Sequence, residues 1–181
     1  GVLSALIQAG ALQSYKTKRS RLVLEAQSFN LLTDREKRNF IQLGPKFNYD
    51  VLNTIKAATQ DKILGDDNKR LMADKRFETF KKKYLKYKEI WEKNRVYEDF
   101  ANWFFEKKLL GYSYSTKLKS VFSKEKPLMN SYEVEASENN DRIYMVGVVN
   151  DCFKRRSRNG NQYAKIEMSD ELGFLHGMLI N

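Results

Sequence analysis

Between residues 154 and 158 the sequence reads Lys154-Arg155-Arg156-Ser157-Arg158, four cations in five positions, followed by Asn159-Gly160-Asn161. Cations this dense suit phosphate oxygens, because each neutralised phosphate of a nucleic acid releases condensed counterions. Phe153 and Tyr163 flank the run. A ring beside a cationic loop can stack on a base, and the same rings can equally fill the interior of a small sheet domain. Other chemistry finds little material. Nucleotide transfer needs convergent carboxylates around metal ions, whereas Asp66-Asp67 sit where a helix starts and Asp170-Glu171 sit in a turn. There is no P-loop and no Cys/His zinc spacing. The single histidine, His176, reads as a strand side chain without a nucleophile partner. No catalytic residue, metal ligand or cofactor is assigned to this chain.

The cationic run must be held by strands. Ile143-Tyr144-Met145-Val146-Gly147-Val148-Val149 is rich in β-formers around a glycine, as where a strand bends to close a small barrel. Lys154–Asn161 then reads as a polar tip with an Asn-Gly turn signal. Tyr163–Met168 alternates as a second strand, Asp170-Glu171-Leu172-Gly173 is a turn, and Phe174–Ile180 is a third strand. The first three strands of many nucleic-acid-binding OB-folds read this way, and in that fold the strand 2–3 face and the loop between strands 1 and 2 touch the ligand. A three-stranded meander of unrelated fold is the alternative. An OB-fold needs five strands, so this reading expects a piece of a longer protein.

Upstream the apolar spacing is helical. A helix over Val2–Ala9 stops at Gly10, and a second over Lys18–Leu32 presents Leu22, Leu24 and Phe29. Thr33-Asp34-Arg35-Glu36 has the capping-box pattern and starts a third helix, closed by Gly44-Pro45. A fourth spans Tyr49–Leu64 and ends at Gly65. Asp66-Asp67-Asn68 then cap a long helix reaching Leu110, with a break near Arg95. In it Phe77, Phe80, Tyr84, Tyr87 and Trp91 recur at three- and four-residue spacing and form one stripe. Such a stripe is first a core face and only second a stacking platform. The lysines between, Lys81-Lys82-Lys83, Lys86, Lys88 and Lys93, then face solvent. Pro127–Asn140 is polar and acidic and reads as a linker. The expected fold class is α+β: a basic helical region over 1–126, a linker over 127–140 and a partial OB-fold over 141–181.

The net charge of +10 is concentrated upstream: residues 1–126 hold 27 Lys/Arg against 15 Asp/Glu. A surplus of that size favours a polyanionic partner, although a solvated helical surface carries charge as well. No stretch approaches the ~20 apolar residues that span a bilayer, and GVLSALIQAGALQ lacks the basic start of a leader. One cysteine, Cys152, fits a reducing compartment. The expectation is a cytoplasmic protein without a membrane partner.

Val2-Leu3-Ser4-Ala5-Leu6-Ile7-Gln8-Ala9-Gly10-Ala11-Leu12 with Arg19, Arg21 and Leu22, then Phe105-Glu106-Lys107-Lys108-Leu109-Leu110-Gly111-Tyr112-Ser113-Tyr114-Ser115, then the strand pattern of 142–181 follow one another in that order. Together they resemble the region C-terminal to the catalytic core of bacterial and phage DNA polymerase III alpha subunits. The resemblance implies a helix-hairpin-helix segment in which Gly10, Arg19 and Arg21 meet duplex DNA. It implies an OB-fold that holds single-stranded template through Lys154, Arg155, Arg156, Arg158, Asn161 and Tyr163. Primed DNA and the remainder of the polymerase are the implied partners, with Mg²⁺ confined to the catalytic core outside this chain. In many members a short peptide binds the sliding clamp. Gln27-Ser28-Phe29-Asn30-Leu31-Leu32 has its glutamine and terminal leucines at Gln27, Leu31 and Leu32, within a predicted helix whose core would use the same leucines. Two other readings stay open: a tRNA-binding OB domain of the aminoacyl-tRNA synthetase kind, and a helical protein-interaction scaffold.

Overall fold

The computed structural model describes residues 1–60, 70–122 and 127–180. It is α+β, with α-helices followed by a three-stranded antiparallel sheet. The chain divides into two compact units, Gly1–Glu98 and Asp99–Asn181.

The first unit contains α1 (Val2–Gln8), α2 (Arg19–Phe29), α3 (Asp34–Leu43), α4 (Val51–Gln60) and α5 (Asp74–Asn94). Helix α1 ends as its glycine requires. Gly10 adopts φ +89°, its amide donates to Ile7 O and the next amide, Ala11 N, donates to Leu6 O, the paired bonds of a Schellman stop. Thr33 caps α3 in the expected box, its hydroxyl accepting from Glu36 N while the Glu36 carboxylate accepts from Thr33 N. Glu36 has a second task. It is buried, and it takes both Nε and Nη2 of Arg76 on α5 at 3.1 and 2.9 Å. Arg76 Nη2 also donates to Leu31 O at 2.7 Å, so a single guanidinium fastens α5 to the turn before α3. The gap at the start of α2 is filled from a distance. Lys18 gives no side-chain cap, and the Glu98 carboxylate accepts from Ser20 N and Ser20 Oγ, placing negative charge where free amides need it. Trp91 Nε1 donates to Ser20 Oγ, and the guanidinium groups of Arg21 and Arg95 lie 5.5 Å from the Trp91 ring.

The aromatic stripe of α5 is core. Phe77, Phe80 and Tyr84 are buried together with Phe40, Leu43, Ile55 and Leu71. Each such side chain contributes about 1.5–3 kcal/mol on leaving water. The expected cap at Asp66-Asp67-Asn68 and the stop at Gly65 lie outside the described residues; α5 itself begins at Asp74, with Ala73 as N-cap. The expected break near Arg95 is a 3-10 turn over Arg95–Tyr97.

The second unit contains α6 from Asp99 onward (the helix spans Glu98–Leu110), α7 (Leu118–Phe122), α8 (Ser131–Glu135), and strands β1 (Val148–Arg156), β2 (Gln162–Ser169) and β3 (Phe174–Ile180). The sheet is a meander in the order β1-β2-β3. Residues 127–140, expected as a linker, fall inside this unit. Asn130 and Glu133 form a capping box that starts α8, and Ser131 is buried against the β2–β3 turn.

That turn is held by carboxylates. Asp170 Oδ1 accepts from Ser131 Oγ, Leu172 N and Gly173 N, and Oδ2 accepts from Ser131 N. Burial pushes the Asp170 carboxyl up, but the hydrogen bonds from Ser131, Leu172 and Gly173 outweigh it and hold the group below the ordinary aspartate range. Glu171 Oε2 accepts from the indole of buried Trp103 and from Leu118 N. Lys107 Nζ donates to Ser169 Oγ and Asp170 O, and burial lowers its ammonium below the usual lysine value against the pull of Asp170 and Glu171. Fully buried Glu106 accepts from Ser113 Oγ, Tyr114 N and Ser115 N, closing the loop that follows α6.

Candidate nucleic-acid interface

The register of the sheet decides which side chains can act together. Arg155 stands opposite Tyr163, and Tyr163 opposite Ile180; Phe153 stands opposite Lys165, and Lys165 opposite Met178. Residues two apart on a strand share a face. Phe153, Arg155, Tyr163 and Lys165 therefore lie on one face, two rings and two cations as directly opposed or diagonal neighbours within about 8 Å. Phe153 is 50% exposed and Tyr163 half-buried. Among the described residues neither Arg155 nor Lys165 forms an ion pair. The next row on the same face is Asp151, Glu167 and His176, so the face grades from cationic at the β1–β2 hairpin to acidic toward the Asp170 turn. A shallow groove lies along it, lined by Phe153, Lys165, Glu167, His176 and Met178.

Here the structure corrects the sequence reading. The first strand does not enclose Gly147; it starts at Val148 and runs to Arg156. Lys154, Arg155 and Arg156 are strand residues, and only Arg158 of the four cations is in the connection. Ser157 N donates to Asn161 O and Gly160 N to Ser157 O, with Gly160 at φ +82°, a tight hairpin loop. The β-turn spans Ser157–Gly160 with Gly160 left-handed behind it, a short hairpin loop that leaves no room for an eight-residue tip. Strand alternation then splits the basic run. Arg155 shares a face with Tyr163, whereas Lys154 and Arg156, opposite Ala164 and Gln162, lie on the other. That other face also carries Cys152, Ile166, Met168 and Leu179. Asn161 is exposed at the end of the hairpin, its amide bonded to Ser157 Oγ. Lys165 was missed; its sequence signal is the i,i+2 spacing from Tyr163.

The helical site residues are used differently from expectation. Arg19 is buried and donates from Nη1 to Gln8 O at the end of α1, so it serves packing where a phosphate contact was implied. Arg21 pairs with Glu25 at 2.7 Å and covers Trp91; burial, which works against its charge, is outweighed by the Glu25 bond, and its guanidinium is held still more firmly protonated. The Gly10 amide, the phosphate donor of a helix-hairpin-helix, is engaged with Ile7 O. The implied clamp peptide is not a free segment. Gln27 is exposed, but Leu32 is buried in the core and Leu31 packs against it. These leucines would have to leave the core to fill a partner's pocket.

Among the described residues no three His, Cys, Asp or Glu side chains gather as a metal site, and no helix is long and apolar enough to cross a membrane. No protein-family model, curated protein or solved structure matches the chain.

Proposed function

We propose that this chain is a non-catalytic, DNA-binding part of a replicative polymerase of the DNA polymerase III alpha kind, its three strands being the first half of an OB-fold that holds single-stranded template. The observation that carries the reading is the sheet face on which Phe153 and Tyr163 alternate with Arg155 and Lys165. Rings stack on bases whatever their sequence, and the cations follow the backbone. The opposite face carries Ile166 and Met168, the part a barrel would close over, with Lys154 and Arg156 at its hairpin end. The order of the Ala5–Leu12 segment, the Phe105–Ser115 segment and the strands supports the polymerase assignment over a tRNA-binding domain.

The test is fluorescence anisotropy with a labelled 20-nucleotide oligodeoxythymidine. At about 1–3 kcal/mol per stacked base, Phe153→Ala with Tyr163→Ala weakens binding by at least about thirty-fold. Arg155→Ala weakens it further and flattens the salt slope, while Arg156→Ala on the other face changes it little. A double ring variant within two-fold of the parent overturns the interface. A parent that prefers transfer RNA over primed DNA replaces the polymerase reading with the synthetase one.

A further inference from the structure

We infer that the outer face of α5 is a second nucleic-acid surface, one that grips the phosphate backbone of a duplex without reading its sequence. Opposite the buried Phe77, Phe80 and Tyr84, the residues Lys75, Lys82, Lys86 and Lys93 fall within about 40° of one another around the helix. At 1.5 Å per residue the row is about 27 Å long. All four are exposed, and Lys83 stands exposed beside them. Lys93 is paired with Glu89 at 2.7 Å. Lys75, Lys82, Lys83 and Lys86 form no ion pair among the described residues, with Glu78 the one carboxylate among them on this stretch of the face. The unit holding α5 has 21 Lys/Arg against 12 Asp/Glu, whereas the sheet unit has 12 against 11.

The chemistry selects the partner. A membrane-surface helix needs a continuous apolar face to sink into the lipid, and the apolar face of α5 is already buried in the core. On the outer face Leu85 and Ile90 are isolated, with lysines between them. A straight helix presents its charges at fixed intervals, which suits the fixed phosphates of a duplex better than a coiling single strand. The row is built of lysine alone, without the planar Arg, Asn or Gln groups that read most base edges. Lysine is a flexible point charge that matches phosphate oxygens, so its contacts here are assigned to the backbone, which positions without specifying sequence. The inference shares with the proposed function only its choice of nucleic acid and does not depend on the sheet.

The experiment compares the parent with a Lys75→Ala/Lys82→Ala/Lys86→Ala triple variant and with the Phe153→Ala/Tyr163→Ala variant. The probes are a blunt 20-base-pair duplex and a 20-nucleotide single strand, each titrated at several salt concentrations. Alanine preserves the helix, and circular dichroism confirms it. Three lost phosphate contacts reduce the log–log salt slope for duplex by about 2.7. Between 50 and 200 mM salt the parent's duplex affinity therefore falls about forty-fold further than the variant's. Single-strand affinity stays within two-fold, and the ring variant shows the converse pattern. Unchanged duplex slope in the lysine variant overturns the ridge, as does equal loss on both probes. The same holds if the lysines matter only for vesicles containing phosphatidylserine. Failure of the ring variant alone leaves the ridge standing and removes the sheet site.

Discussion

Replacing Asp170 by Asn tests whether the carboxylate network is what holds the β2–β3 turn. Oδ1 serves Ser131 Oγ, Leu172 N and Gly173 N, and Oδ2 serves Ser131 N. Asparagine has one acceptor oxygen. With that oxygen toward Leu172 and Gly173, its NH₂ faces the Ser131 amide, donor against donor. A buried donor left without a partner costs about 1–3 kcal/mol, and three bonds to a neutral oxygen are each about 0.5–1 kcal/mol weaker than to a carboxylate. Easier burial of a neutral side chain returns about 1 kcal/mol. The balance is about 3 kcal/mol, a large share of a small unit's stability. Urea unfolding is followed by Trp103 emission in a Trp91→Phe background, since the chain has two tryptophans and only Trp103 lies in this unit. At a slope of about 1 kcal/mol per M for a unit of this size, the midpoint drops by about 3 M. Acid provides a second reading. The folded Asp170 carboxyl lies below its ordinary value of 3.8, so its contribution is complete above that pH and is lost as pH falls through the depressed folded value. Glu133, lowered mainly by its bond from Lys119, acts in the same direction. The comparison is therefore between parent and variant: Asp170→Asn flattens the acid limb without abolishing it. A midpoint within 0.5 M of the parent, with an unchanged acid limb, refutes the reasoning.

Two further changes probe the helical unit. Glu36→Ala removes the reciprocal cap of α3 and leaves the Arg76 guanidinium of α5 with only the Leu31 carbonyl, and is expected to cost about 3 kcal/mol in urea unfolding followed by Trp91 emission in a Trp103→Phe background. Thr33→Ala, which loses the cap alone, costs about 1 kcal/mol. Gly10→Ala forces a side chain into φ +89° and lowers stability by about 1–2 kcal/mol, read in the same way.

What was legible in the sequence was local. The Thr33–Glu36 box, the Gly10 stop, the break at Arg95 and the inward stripe of Phe77, Phe80 and Tyr84 each depend on residues within a turn or two of one another, and spacing reports them directly. The misread features depend on distant partners. Asn130-x-x-Glu133 is as good a capping box as Thr33-x-x-Glu36, but it sits in an acidic stretch of loop composition. What makes it ordered is Asp170, 39 residues on from Ser131. The resemblance set Arg19 against duplex DNA, and a resemblance carries residue type but not burial. Leu31 and Leu32 matched a short linear motif for the same reason, since a motif does not say which way its leucines point. In the sheet, Phe153, Arg155 and Tyr163 were named, but not which of them share a face, because pairing register is set by the hairpin.

The alternation of β1 reaches beyond binding to what a gene can vary. Selection for whatever the Phe153–Lys165 face touches acts on every second codon of β1 and β2. Selection on the opposite face, where Lys154 and Arg156 share a side with Ile166 and Met168, acts on the codons between. Two pressures thus interleave along one short stretch of sequence without competing for a position. A block comparison of basic residues over 154–158 would average them and show neither, whereas tolerance scored codon by codon would rise and fall with a period of two.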